Sequence, residues 1–311
     1  MIDTEQVPRT SVVRRVFYGP SELRAGWRLL IFLVVITALR RFSNPIVYRV
    51  LRGADDSIIL LVRIVMSFLI CLLVSWIMGL FEGRTIADYG LPWRSMFGVQ
   101  FWQGVVLGFA SITGLLVAMR VAGVFYFGRI ALHGSEIWKW AIIYAFVFIL
   151  VALREEFGFR GYGLYTLSAG IGFWPAAVLS AAFFGYSHLS NSGENWIGLF
   201  NVGAFGLLAS FLLRRTGNLW MPIGLHAAFD WGETYFYGVA DSGLTVPGHL
   251  FSSSSSGLAW LSGGTVGPEG SVLCTLQLLV VWLICARRLR EAKYPKPPCA
   301  KRAPIFPAHT S

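Results

Sequence analysis

Three short stretches set ionisable side chains at helical spacing inside otherwise apolar sequence. The first, REEFGFRG at 154–161, carries Glu155, Glu156 and Arg160. Glu156 and Arg160 are four apart, so they share a helix face on which they can pair. Glu155 points about 100° away and is left to face a polar cavity. The second stretch, FWPAAVLSAAFFGYSHLS, ends with His188 one turn after Phe184. The third, NLWMPIGLHAAFDW, puts His226 and Asp230 four apart, again on one face. Carboxylates and imidazoles take protons from water, stabilise anions or ligate metals. An ionisable group at the centre of a bilayer costs roughly 3 kcal/mol on insertion scales. One cavity shared by Glu155, His188, His226 and Asp230 is the economical arrangement. Asp230 has three roles open to it: protonated, it donates to an oxyanion; ionised, it ligates a metal or accepts a hydrogen bond that orients His226.

The elements that must position these residues are membrane helices. Of 311 residues, 55% are hydrophobic and 14% charged, against roughly 25% charged in a soluble domain. Runs near the length a bilayer needs, about 20 residues, lie at 27–48, 57–81, 98–119, 138–157, 172–190, 196–213, 219–239 and 271–286. The expected fold is therefore all-α, a polytopic membrane bundle of about eight transmembrane helices. The first run is interrupted by Arg40 and Arg41, and Pro45 is placed to kink it. It reads as a retained anchor, since no small-residue cleavage site follows it.

The net charge of +10 reports topology rather than nucleic-acid binding. Arg9, Arg14, Arg15 and Arg24 precede the first run, and Arg287, Arg288, Arg290 and Lys293 follow the last. Both termini are therefore expected in the cytoplasm, with the multi-pass chain in an inner or plasma membrane if bacterial. Arg40, Arg41, Arg49 and Arg52 run against that rule, so either the first segment is re-entrant or the short Arg-rich loop is tolerated. Cys71, Cys274, Cys285 and Cys299 have no metal or redox spacing and read as packing residues. The chain divides into a cytoplasmic N-terminal segment (1–26), N-terminal transmembrane helices (27–130), a core carrying the three motifs (131–240), a flexible extracytoplasmic loop (241–270), a last transmembrane helix (271–287) and a disordered basic cytoplasmic tail (288–311).

The order Glu-Glu-x-x-x-Arg, Phe-x-x-x-His, His-x-x-x-Asn/Asp resembles the CAAX-processing and bacteriocin-processing family of intramembrane proteases. The matching residues are Glu155, Glu156 and Arg160; Phe184 and His188; and His226 and Asp230. The flanking FRG and GNLWMPIGLH are similar too, and the likeness covers roughly 138–240. The resemblance implies a multi-helix endopeptidase acting on membrane-associated peptides or proteins in the lipid bilayer. Glu155 and His188 would activate water, and His226 and Asp230 would bind the oxyanion or join a metal site. Glu156, Arg160 and Phe184 would support them. The family is described both as Zn2+-type, with Glu155, His188, His226 and Asp230 as ligands, and as metal-free glutamate proteases; both stay open. Two other classes fit a polar cavity among helices: a non-catalytic scaffold or immunity-type protein, and a proton-coupled transporter. The transporter lacks the matched repeats such proteins show.

Overall fold

A computed structural model of the chain describes residues 16–19 and 23–295. Arg9, Arg14 and Arg15, and the tail from 296 onward with Cys299, lie outside the described residues. The chain forms an all-α bundle. Its longer helices are α1 (Ala25–Val50), α2 (Asp56–Glu82), α3 (Val99–Val121), α4 (Ser135–Arg160), α5 (Tyr162–Ile171), α6 (Phe173–Ser187), α7 (Trp196–Thr216) and α8 (Trp220–Trp231). After α8 come a short α9 (Ala259–Ser262) and the last helix, α10 (Val272–Arg288).

Local sequence explains where these helices start and stop. Asp55 caps α2 by accepting from the Ser57 amide at 2.8 Å, and that contact holds its carboxyl below the ordinary value. Asn195 caps α7 through Oδ1, which accepts from the Ile197 and Gly198 amides. Gly83 and Gly217 end α2 and α7 in the left-handed conformation, at φ 65° and 84°.

Five helical stretches among the described residues are long and apolar enough to cross a membrane: 25–50, 56–82, 99–121, 135–171 and 196–216. Leu60, Leu69, Leu73 and Trp76 on α2 are each about half exposed, an apolar outer surface of the kind lipid requires. The chain is an integral membrane protein. The eight spans expected are thus not all of full length. The fifth expected span folds as α6, with 15 residues, which rises about 22 Å against a hydrocarbon core of about 30 Å. The seventh is the 12 residues of α8 continued by a π-helical segment at Gly232–Tyr237, and the eighth is α10, with 17. The first run is one unbroken helix with Pro45 inside it.

The stretch from 241 to 270, expected as a loop, has order of its own. Ser254–Ser255 (β2) pairs antiparallel with Phe125–Tyr126 (β1). Asn201 of α7 donates to the carbonyls of Glu269 and Ser271 at 2.7 and 2.9 Å. These contacts join residues far apart in sequence, so loop composition alone does not reveal them. Cys71, Cys274 and Cys285 are buried free thiols, as expected of packing residues.

Helix α8 carries His226 and Asp230, and its seat is set by glycines. A Cβ on Gly104 or Gly108 of α3 would stand 2.2 Å from the Met221 carbonyl oxygen or 2.1 Å from that of Leu225, and one on Gly224 would stand 2.2 Å from that of Phe101. The two backbones touch where side chains would otherwise hold them apart, the usual reason for small residues between membrane helices.

Candidate active site

Helices α4 and α8 bring the first and third motifs together. Glu155, Glu156, Arg160, His226 and Asp230 are all buried, Glu156 and Arg160 completely. Glu156 pairs with Arg160 as the four-residue spacing predicts, Oε1 to Nη1 at 3.2 Å. The same Oε1 lies 2.9 Å from Nδ1 of His226. A carboxylate only accepts, so Nδ1 carries the hydrogen and Nε2 is the atom presented to other groups. Nε2 is 3.4 Å from Asp230 Oδ2 and 3.7 Å from Glu155 Oε2. Two carboxylates facing one imidazole nitrogen require a proton between them, on Nε2 or on an acid.

Phe184 links the second motif to the first. Its ring lies 4.3 Å from the Arg160 guanidinium carbon and meets the His188 ring edge-on, with centroids 4.8 Å apart. Its carbonyl oxygen is 2.9 Å from His188 Nδ1. That contact makes Nδ1 the donor and leaves the Nε2 lone pair free in neutral His188. Arg160 fits because position 206 is glycine: a Cβ there would stand 2.5 Å from its Nη2.

Glu155, His188, His226 and Asp230 all line one cavity of about 870 Å³. Much of its wall is apolar, including Phe32 and Leu33 of α1, Leu60 of α2, and Leu179 and Phe183 of α6. Glu155 faces this cavity, but it does not stand there without a partner. Arg154 pairs with its Oε1, leaving Oε2 toward His226. Adjacent helix positions do not face one another, so spacing gives no signal of this pair; only the length of the arginine side chain allows it.

A Zn2+ site at Glu155, His188, His226 and Asp230 would need four ligand atoms drawn closely around one point. Among the described residues, the His, Cys, Asp or Glu atoms gathered within 4.8 Å of one another belong instead to Asp230, Glu233 and Asp241. The four motif residues are not drawn together in that way.

Residues 137–232 match the family model of the type II CAAX prenyl endopeptidase, Rce1-like. This segment resembles an Rce1-like domain. The matched segment runs from the first turn of α4 to just past the end of α8 and contains all seven motif residues. "Uncharacterized protein YpbD" of Bacillus subtilis (strain 168) is 33% identical over 85 residues, which is 27% of this chain and 40% of that protein's length. No solved structure matches. The match to the Rce1-like domain bears out the family resemblance carried by the three motifs.

Proposed function

We propose that the Rce1-like domain is the core of an intramembrane endopeptidase that hydrolyses peptide bonds in membrane-associated peptides or proteins. The observation that carries this reading is the convergence of Glu155, His188, His226 and Asp230 on one cavity within the matched segment. Lys and Arg excess at the two ends supports cytoplasmic termini. Leu33, Leu60, Leu179 and Phe183 give the cavity an apolar lining, which supports entry of substrate from the lipid side.

In the proposed reaction, a water held between Glu155 and His188 attacks the carbonyl carbon. One proton passes to Glu155, and the His188 Nε2 lone pair accepts a hydrogen bond from the other hydrogen. His226, fixed by Glu156, directs Nε2–H at the oxygen that gains charge, and Asp230 steadies the imidazolium. The C–N bond then breaks and Glu155 returns its proton to the leaving amine. One water has been added across the amide.

Membrane proteomics of a strain carrying Glu155→Ala against wild type tests the proposal. Precursors that fail to mature should accumulate at unchanged abundance of the variant protein. Full complementation of a deletion by Glu155→Ala would overturn the enzyme reading.

A further inference from the structure

Asp230 ends one turn short of a second group of acids that the proposed hydrolysis does not use. Glu233 stands in the first turn of the π-helical segment, and Asp241 follows that segment. Asp230, Glu233 and Asp241 each offer an oxygen within 4.8 Å of the other two. Glu233 is fully buried, and neither of its carboxylate oxygens has a hydrogen-bond partner. A buried, unpartnered carboxylate is strongly disfavoured unless something neutralises it.

Among the described residues, no Lys or Arg side chain serves that purpose. No Lys or Arg occurs from 216 to 286, and among the described residues none pairs with Glu233 or Asp241. His226 touches Asp230 alone of the three. Thr234 donates to Asp241 Oδ2 at 3.2 Å. The nearby Glu269 is already engaged by the Ser242 amide and hydroxyl, at 3.0 and 2.7 Å. An all-oxygen donor set suits hard cations rather than Zn2+. Asp230, Thr234 and Asp241 line the cavity, which gives an ion and its waters a way in.

We propose that Asp230, Glu233 and Asp241 form a binding site for a divalent hard cation, with Ca2+ as the probe, at the junction of α8 and the loop that follows. The site goes beyond the peptidase reading and does not depend on it. Through the Asp230 carboxylate, shared with His226, a bound ion also holds the end of α8 in place.

The test uses the full chain in detergent micelles, stripped with EDTA and titrated with Ca2+, and separately with Tb3+, whose emission is excited through Trp231, Tyr235 and Tyr237. Wild type should bind Ca2+ saturably and give Tb3+ emission that Ca2+ displaces. Glu233→Gln should weaken Ca2+ binding roughly tenfold or more. Asp241→Asn, at a part-exposed position, should do the same and decides the matter if Glu233→Gln does not fold. The proposal is overturned if wild type shows no saturable Ca2+ or Tb3+ binding, or if a folded Glu233→Gln or Asp241→Asn binds as wild type does. Preferential Zn2+ binding that is lost in His226→Ala but kept in Glu233→Gln would place the ion at the imidazole and also overturn it. None of these readouts involves cleavage, so failure of the ion site and failure of the peptidase reading are separable.

Discussion

Oε1 of Glu156 stands 2.9 Å from Nδ1 of His226, and through this contact α4 sets the imidazole that α8 carries. The same oxygen is 3.2 Å from Arg160. One buried atom therefore couples a charge pair internal to α4 with the orientation of a candidate catalytic ring.

Removing one member of that pair should harm folding before it harms chemistry. Arg160→Ala leaves Glu156 buried without its cation, a change that costs about 3–5 kcal/mol. Detergent-solubilised Arg160→Ala should show a lower yield and a lower melting temperature. The double variant Glu156→Gln/Arg160→Met removes both charges and should recover much of that stability but not the activity, because His226 has lost its carboxylate. A double variant that regains activity would show that Glu156 does not orient the ring.

Glu155→Ala, His188→Ala and His226→Ala remove groups that the proposed reaction places at the reacting atoms. Each should reduce cleavage by about a hundred- to ten-thousandfold, the range for general acid–base groups. Quantitative blotting of membranes should find each variant at wild-type abundance. Equal cleavage by His188→Ala would remove His188 from the proposed reaction.

Zinc-selective chelation separates the two family mechanisms. With Glu155 and His188 acting on water directly, 1,10-phenanthroline should leave the initial cleavage rate unchanged. Inhibition that is reversed by added Zn2+ would replace the direct mechanism with a metal-bound one.

The glycine contacts between α3 and α8 give a test with an internal control. Gly108→Leu places a side chain where the Leu225 carbonyl oxygen lies, so it should displace α8 and abolish both folded yield and activity. Gly114 lies on the same helix, and a Cβ there would meet nothing within 4 Å. Gly114→Ala should therefore be neutral, or more stable by up to about 1 kcal/mol from helix propensity. Comparable size-exclusion profiles for Gly108→Leu and wild type would refute the close approach.

Orientation follows from charge and is read by fusions. A reporter after Arg290 should report cytoplasm and one at Ser255 the opposite side. A cytoplasmic Ser255 would require a different number of crossings.

The seven motif residues are legible in the sequence because helical spacing converts directly into shared faces: 156 with 160, 226 with 230. What spacing cannot give is which faces of different helices meet. Sequence pairs Glu156 only with Arg160, whereas its second partner, His226, lies 70 positions away. The spacing of Phe184 and His188 shows in the sequence, but not that the Phe184 ring lies over Arg160 and its carbonyl against His188. Glu233 gives no signal within GETYFY, because a glutamate at the end of an apolar run ordinarily reaches water, whereas here it is fully buried. Hydropathy overstates the lengths of α6 and α8 for a related reason. It continues through residues that turn, and Gly172 and the π-helical segment at 232–237 shorten the α-helical parts.

The interlocked carbonyls of α3 and α8 also fix which way the cavity can breathe. Two backbones in direct contact have no side chains between them to re-pack, so α8 cannot slide or roll along α3 without a clash of main-chain atoms. Under the proposed entry from the lipid side, widening of the cavity would fall to α1, α2 and α6, which line it through Leu33, Leu60, Leu179 and Phe183. His226 and Asp230 thus ride on the helix that α3 locks in place, whereas these lining residues lie on helices that carry neither of them.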